Sequence, residues 1–416
     1  MACKGRYPCA ELSTPLVWQK EKHNGEEHHE HRERDIIMEE GKRSSCNSFT
    51  SAMTLTQMEV PHVPTRYILP PSQRPNPSLV LHSPTTLPII DLSCLHDPSI
   101  RHQVVEEVKT ACNKMGFFQA YLAIYHAMHD FLVINHGIPL AIMEDALNTA
   151  AEFFNLPNEE KMLMVSDDVH EPVRYGMSIN HAKEKFHFWR DFIKHYSHPI
   201  SKWIDRWPSN PITYREKMGI YTKAVHALQV QLMEVVLESL GLNPNCLCKD
   251  IQEGSQLNVV NCYPTCPEPD LALGMPPHSD FGSITILLQS CQGLELMDWD
   301  NQWYSVPVIE GALIVQLGDQ MEVMSNGAYK SVVQRVMVSS ENKRLSIASL
   351  HSLALERKVC PAPELIDQEH PVRYNECSFE DFLNFLTCND ITEGRYIDTL
   401  KKINQLEGGD EICEKK

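Results

Sequence analysis

The segment NCYPTCPEPDLALGMPPHSD, from Asn261 to Asp280, carries the strongest structural and chemical signal in this chain. It ends in a His-x-Asp pair, His278 and Asp280. Alternate residues of a β-strand point to the same face, so this imidazole and this carboxylate would lie together. Two histidines and one carboxylate on a common face hold non-haem Fe(II) with positions left open. The pair therefore supplies two of three ligands, unless it is simply a hydrogen-bonded pair in a loop.

Two further patterns, one on each side of this pair, indicate a site that binds a carboxylate. Arg344 and Ser346 occupy alternate positions of the run RLSIAS, and Asn261 and Tyr263 alternate in the same way upstream. A planar guanidinium pairs bidentately with a carboxylate, and neighbouring hydroxyl groups add donors. Arg344, Ser346 and Tyr263 are therefore predicted to hold the distal carboxylate of 2-oxoglutarate, with Asn261 beside them.

The order of these motifs points to a family. N-x-Y, H-S-D-F-G, S-N-G-x-Y-K-S-V and R-x-S follow one another along the chain. This combination closely resembles the plant 2-oxoglutarate/Fe(II)-dependent dioxygenases, in the branch with flavanone 3-hydroxylase-like and salicylate-hydroxylase-like (downy mildew resistance type) enzymes. The resemblance extends from about Met53 to about Lys402.

The resemblance implies a dioxygenase that hydroxylates a small phenolic or flavonoid-type metabolite. Its cofactors would be Fe(II), the co-substrate 2-oxoglutarate and O2, with ascorbate in support, and no catalytic side chain is expected beyond the metal centre. By position, His278 and Asp280 match metal ligands. The residues that would line the substrate side are Phe281, Arg174, Tyr175 and Trp189.

One position departs from the family pattern. The family reads S-V-x-H-R-V, with His as the third metal ligand, whereas this chain reads SVVQRV from Ser331 to Val336. Gln334 therefore stands where the second imidazole is expected. A neutral amide oxygen is a poorer Fe(II) ligand than imidazole. The pattern predicts weakened metal binding, with Gln334 as the third candidate ligand.

Three interpretations follow from this departure. The first is a family-type hydroxylase with impaired or altered metal binding. The second is a catalytically silent jelly-roll protein that still binds 2-oxoglutarate or a phenolic ligand. The third is a splice variant that folds poorly. Succinate release with Fe(II), 2-oxoglutarate and O2 separates the first from the second, and thermal unfolding separates the third from both.

Hydrophobic periodicity predicts an α+β fold whose core is a β-sandwich or a jelly roll, and the resemblance implies a double-stranded β-helix (jelly-roll) core with flanking N-terminal and C-terminal helices. Short apolar runs separated by glycines are typical of a jelly roll, and they occupy 257–260, 284–288, 294–296, 313–317 and 346–350. A first strand is expected over 87–92. Apolar residues at helical spacing predict helices over 100–115, 140–154, 211–240, 379–386 and 396–405. The stretch 155–200 is predicted to be irregular.

The predicted organisation has four parts. Residues 1–52 are polar and are expected to form a disordered, dispensable extension, with the ordinary protein starting near Met53. Residues 53–245 form the N-terminal dioxygenase region, 246–355 the Fe(II)/2-oxoglutarate jelly-roll domain, and 356–416 the C-terminal helices and tail. An insertion at 120–132 interrupts the family run GFFQVINHG. We expect it to protrude as a loop or short helix, splitting one strand.

The amino-acid composition limits the binding partners and the cellular compartment that we expect for this chain. The hydrophobic fraction of 42% and the charged fraction of 22% are those of a globular protein. A net charge of −18 argues against a nucleic-acid partner, because phosphate binding needs a basic face. No run reaches the roughly 18 apolar residues of a membrane span, and the 14 cysteines lack zinc-site spacing. We therefore expect a cytoplasmic monomer that binds a small molecule, without membrane or nucleic-acid partners.

Overall fold

The computed structural model describes residues 50–75, 80–81, 89–114, 117–121, 136–181, 183–298 and 301–402. The chain divides into two compact units, Met1–Thr50 and Ser51–Lys416. This division lies two residues before the predicted end of the extension. Ser51 is buried, and its Oγ accepts a hydrogen bond from the Thr54 amide, which caps the first helix. The buried residues Ser51 and Ala52 therefore belong to the folded unit.

The α-helices of the described residues flank a β-structure. They are α1 (Ala52–Gln57), α2 (Arg101–Lys114), α3 (Leu140–Phe154), α4 (Asn158–Met162), α5 (Ile200–Trp203), α6 (Tyr214–Ser239), α7 (Cys248–Gln252), α8 (Asp319–Met324), α9 (Phe379–Cys388) and α10 (Tyr396–Leu400). The predicted bounds of α3 are confirmed. The predicted helix over 396–405 is wrong at its end: α10 stops at Leu400, and Lys401 instead forms an isolated β-bridge with Tyr374.

The β-strands are, in chain order, β1 (Val80–Leu81), β2 (Ile89–Ile90), β3 (Phe117–Tyr121), β4 (Val173–Gly176), β5 (Asp191–His198), β6 (Ser255–Tyr263), β7 (Met275–His278), β8 (Ile284–Gln289), β9 (Leu294–Met297), β10 (Trp303–Ser305), β11 (Ala312–Leu317), β12 (Val333–Val336) and β13 (Arg344–Ser352). One sheet has the order β1-β10-β9-β12-β7 and the other β2-β3-β11-β8-β13-β6-β5-β4. A five-stranded and an eight-stranded sheet with mostly antiparallel pairing form the predicted jelly roll.

The eight-stranded sheet separates the helical layer from the interior of the roll. Residues of β13 alternate between these two environments. Leu345 and Ile347 pack into the core that contains α2, α3 and α6, whereas Arg344, Ser346 and Ala348 line a cavity on the other face. A one-residue shift of this strand would exchange the two sets, so burial of the apolar set fixes the register.

Two predictions for the N-terminal region need correction or remain open. The stretch 155–200 is not irregular, since it contains β4 and the long, mostly buried β5. Ala120 and Tyr121, the first two residues of the predicted insertion, continue β3 and pair with β11. The rest of that insertion, 122–132, lies outside the described residues, as does the predicted extension up to residue 49.

Candidate active site

A cavity of about 190 Å³ lies inside the jelly roll and is lined from both sheets. The predicted metal and co-substrate residues all line it: His278, Asp280, Gln334, Arg344, Ser346, Tyr263 and Asn261. They come from β6, β7, β12, β13 and the turn after β7. Strand pairing explains their convergence, because β6 sets Tyr263 opposite Arg344 and Asn261 opposite Ser346.

The two ring nitrogens of His278 have different surroundings. Its Nδ1 lies 2.8 Å from the Pro276 carbonyl oxygen. A carbonyl can only accept, so Nδ1 carries the proton and Nε2 keeps its lone pair. Nε2 lies 3.7 Å from Asp280 Oδ1. Burial lowers the pKa of His278, which favours the neutral imidazole that metals bind, although Asp280 opposes that shift.

Gln334 stands opposite His278 in the pairing of β12 with β7. Its side chain is buried, and its Oε1 accepts a hydrogen bond of 3.0 Å from Gln316 Nε2. The carboxamide oxygen is thus already bound to a protein donor. Among the described residues, no group of three His, Cys, Asp or Glu side chains could hold a metal ion. His278 and Asp280 fit a divalent metal, whereas Gln334 offers only the lone pair that the bond from Gln316 leaves over and is the weaker candidate.

Arg344 is a buried cation at one end of the cavity, 3% exposed. Its Nη2 donates to Gln289 Oε1 at 2.9 Å and its Nε to the Cys291 carbonyl at 3.2 Å. Ser346 Oγ lies 3.4 Å from Nη1, and the guanidinium carbon lies 5.1 Å from the centre of the Tyr263 ring. These partners are neutral. An arginine held this way retains its charge for a carboxylate.

An aromatic cluster forms the wall of the cavity on the side of α9. The Phe281 ring stacks on Phe382, with centroids 4.6 Å apart, and on Phe379 at 5.7 Å. All three rings line the cavity, as does Arg174. Phe281 and Arg174 thus line the cavity, and their contact with substrate stays a prediction.

Tyr175 and Trp189 do not line the cavity, so their predicted contact with substrate is corrected. Tyr175 follows Arg174 on β4 and points to the opposite face, where its hydroxyl donates to Asp191 Oδ2 at 2.5 Å. Trp189 packs edge-on against Tyr67, and its Nε1 donates to the Thr265 carbonyl. Both side chains support the fold around the site.

Comparison with known proteins agrees with this geometry. The model of the 2OG-Fe(II) oxygenase superfamily matches residues 254–352, and that of the non-haem dioxygenase in morphine synthesis N-terminal region matches 87–210. Flavanone 3-dioxygenase 3 of Oryza sativa subsp. japonica is 42% identical over 329 residues, which cover 78% of this chain and 96% of that protein. The chain belongs to the 2OG-Fe(II) oxygenase superfamily.

Further relatives within this superfamily extend the comparison. Protein DOWNY MILDEW RESISTANCE 6 of Arabidopsis thaliana is 37% identical over 72% of this chain and 81% of its own length. The crystal structure of JOX2 in complex with 2OG, Fe and JA superimposes with a TM-score of 0.73 at 29% identity, covering 86% of this chain and 99% of that one. The predicted family and jelly-roll fold are confirmed.

Membership of the 2OG-Fe(II) oxygenase superfamily makes the chain an oxidoreductase of the 2-oxoglutarate-dependent dioxygenase type. The cofactors of this family are Fe(II), 2-oxoglutarate and O2. Across the described ranges, none of the helices is both long and apolar enough to span a bilayer.

Sequence reasoning missed four residues that line this cavity. Arg190, Phe192 and Lys194 line the cavity from the start of β5, and Gln316 from β11. The signal was present as the alternation Arg190-x-Phe192-x-Lys194, which places these side chains on one face of a strand. It was overlooked because the surrounding stretch was predicted to be irregular.

Proposed function

We propose that this dioxygenase hydroxylates a small phenolic or flavonoid-type metabolite and that its metal binding is weakened at Gln334. The observation that supports the weakened site is the pair Gln334–Gln316, in which the oxygen that would face the metal accepts a hydrogen bond of 3.0 Å. Only His278 and Asp280 then remain as strong donors in this cavity.

The proposed roles of the residues follow from their positions. His278 Nε2 and the Asp280 carboxylate would hold Fe(II), with Gln334 as the third, weaker donor. Bound iron supplies the activation of O2 by which 2-oxoglutarate becomes succinate and CO2 while one oxygen atom enters a C–H bond of the substrate. His278 is oriented for its role by the bond from Nδ1 to the Pro276 carbonyl, since such outer contacts fix the direction of a ligand.

Arg344, Ser346 and Tyr263 would bind the distal carboxylate of 2-oxoglutarate. The guanidinium is buried and carries no carboxylate partner within 4 Å in the described part of the chain. Burial without a counter-charge lowers the pKa of Arg344, because the charged form loses solvation there. A dicarboxylate that reaches this end would supply the missing negative charge, which supports the assignment.

The aromatic wall of Phe281, Phe379 and Phe382 supports an aromatic or otherwise planar substrate. Aromatic rings pack favourably against one another at centroid distances of 4.5–7 Å, and the wall offers such a surface beside His278. Two of the similar proteins are named flavanone dioxygenases, which agrees with a phenolic substrate. We further propose that the protein acts as a cytoplasmic monomer without nucleic-acid partners, which sedimentation analysis of the purified chain and its location in cells can test.

The deciding experiment measures succinate released by the purified protein from 2-oxoglutarate with Fe(II) and O2, with and without flavanone and phenolic compounds. We expect slow release that Gln334→His accelerates. Release by neither protein, with 2-oxoglutarate binding preserved, would favour a catalytically silent binding protein instead. Release by the unaltered chain as fast as by Gln334→His would reject the weakened site.

A further inference from the structure

Three cationic side chains line the cavity in addition to Arg344, one from β4, one from β5 and one from the residue before β5. Arg174, Arg190 and Lys194 are 3%, 5% and 7% exposed, respectively. No carboxylate oxygen lies within 4 Å of these three groups in the part of the chain that the structure describes. Burying a charge without a counter-ion is unfavourable. Three such charges at one cavity wall require an explanation beyond folding.

The contacts of Arg174 and Lys194 are to backbone carbonyls. Arg174 Nε donates to the Ser166 carbonyl at 2.6 Å and Nη2 to the Ser178 carbonyl at 2.7 Å. Lys194 Nζ donates to the Val169 carbonyl at 2.5 Å. These dipoles hold the side chains in place but supply no counter-ion in direct contact, and the carboxylates that act on them, Glu184 and Asp168 among them, lie farther away.

Arg190 has the least satisfied of the three head groups. Its Nη1 donates to Asn261 Oδ1 at 3.1 Å, but its buried Nε has no hydrogen-bond partner. Buried donors in native proteins nearly always have one. The Nε–H group of Arg190 is therefore available to donate a hydrogen bond to an acceptor atom of a bound ligand.

The three cations share one small region. Arg174 and Lys194 are direct partners across β4 and β5, where like charges are destabilising. The guanidinium carbons of Arg174 and Arg190 lie 5.4 and 4.8 Å from the centre of the Phe192 ring. The site thus combines an apolar ring with three positive charges, and the protein retains this arrangement although it opposes folding.

The surroundings of Lys194 disfavour its charged form. Burial is the main cause that lowers the pKa of Lys194 to about 7, and the charge of Arg174 lowers it further. Asp168 and Glu171 oppose the shift from a distance. An anion beside the ammonium group would restore the charged form.

Lys194 and its partner Arg174 are separate from the Arg344 end of the cavity, whereas Arg190 extends toward that end through its bond to Asn261. Lys194 pairs with Val259 on β6, and Val259 pairs with Ala348 on β13, four residues after Arg344. Two strand spacings and four residues place the backbones of Lys194 and Arg344 roughly 16 Å apart. A dicarboxylate held at Arg344 therefore leaves the charges of Arg174 and Lys194 available.

We propose that Arg174, Arg190 and Lys194 form an anion subsite, and that the substrate of this dioxygenase is an aromatic carboxylate whose carboxylate binds there. The inference rests on the proposed function in placing a substrate in this cavity. Phe192 would pack against the substrate ring while the guanidinium and ammonium groups bind its carboxylate. A neutral flavanone would leave the three charges unpaired and is disfavoured.

Calorimetric titration without iron tests this subsite independently of turnover. The probes are benzoate and 4-hydroxycinnamate, each compared with its neutral amide. We expect the unaltered protein to bind the carboxylates about tenfold or more tightly than the amides, as a charged hydrogen bond predicts. Lys194→Met should remove most of this preference and leave amide binding unchanged, and Arg190→Leu should act in the same direction.

Two control variants test whether the preference for carboxylates depends on the proposed subsite. Lys249→Met removes an exposed lysine, 82% accessible, and should keep the preference. Arg344→Met removes the cation at the other end of the cavity and should also keep it. If both carboxylates bind no better than their amides, or if Lys194→Met keeps the preference while Arg344→Met loses it, the subsite is refuted.

Ligand-free stability separates a binding role from a structural one. Removing an unpaired buried charge should leave the melting temperature of Lys194→Met equal to or above that of the unaltered protein. A clearly lower value would show that the lysine serves the fold and would overturn the proposal. Failure of the succinate assay with the carboxylate preference intact would refute only the proposed turnover.

Discussion

Gln334→His changes one side chain at the point where the two sheets of the roll meet the cavity. Gln334 faces His278 across β7 and β12 and is 6% exposed, so a new imidazole there would enter the same enclosed space. The change adds an imidazole nitrogen to the two proposed ligands, His278 and Asp280. It also removes the hydrogen bond from Gln316.

Gln334→His should strengthen Fe(II) binding but lower the stability of the metal-free protein. Changes to mere outer contacts of a metal site alter metal affinity about 10–100-fold, so a direct imidazole ligand should raise Fe(II) affinity by at least that factor, about 1.4–2.7 kcal/mol. Without metal, Gln316 loses its partner inside the protein, at a cost of about 1–3 kcal/mol. Gln334→His should therefore melt lower than the unaltered protein without metal and gain more from Fe(II).

Anaerobic calorimetry with Fe(II), thermal unfolding and succinate release measure these effects on the same samples. Gln334→Leu is the matched control, because it removes the bond to Gln316 without adding an imidazole, and it should bind Fe(II) no better than the unaltered chain. His278→Ala in the Gln334→His background should remove both gains. Equal Fe(II) affinity and equal succinate release with Gln and with His at 334 would refute the reasoning.

Three other changes test separate parts of the structure. Arg344→Ala should abolish measurable 2-oxoglutarate binding in calorimetry, because it removes the buried charge opposite the carboxylate; an unchanged affinity would contradict the assignment. The pKa of Lys194 near 7 predicts constant affinity for benzoate below about pH 7 and a decline of up to tenfold per unit above it, which Lys194→Met should abolish. The folded state depresses the pKa of Lys194, so between about pH 7 and 10.5 this lysine is protonated in the unfolded chain but largely neutral in the folded one. The contribution of this group to the free energy of unfolding therefore rises with pH in that window. Ser51→Ala removes the cap on the Thr54 amide and should lower the free energy of unfolding by about 1 kcal/mol in urea titrations, whereas no change would show that the cap is unimportant.

The sequence alone determined the family and the jelly-roll class, and it identified most of the candidate residues that the structure brings to one cavity. His278 and Asp280 are two residues apart, as are Arg344 and Ser346, so the period of a strand places each pair on one face without knowledge of the rest. The bounds of α3 were predictable for a similar reason, since its apolar residues repeat at helical spacing within one continuous segment.

Only the tertiary structure decided which face of each strand became the interior. Arg174 and Tyr175 are neighbours on β4, and the sequence does not show which of them faces the cavity. Pairing with β5 turns the arginine into the cavity and the tyrosine toward Asp191. The same pairing assembles Arg174 with Lys194. A strand's period defines two faces but does not say which is buried, because that depends on the strands and helices that pack on it.

The hydrogen bond between Gln316 and Gln334 is a further feature that the sequence alone could not predict. The two residues belong to different sheets, and their hydrogen bond exists only because the roll closes over the cavity. The amino-acid sequence shows an amide at 334. Whether that amide is free for a metal or held by a neighbour is set by the packing of the two sheets, since buried polar groups satisfy one another wherever folding brings them together.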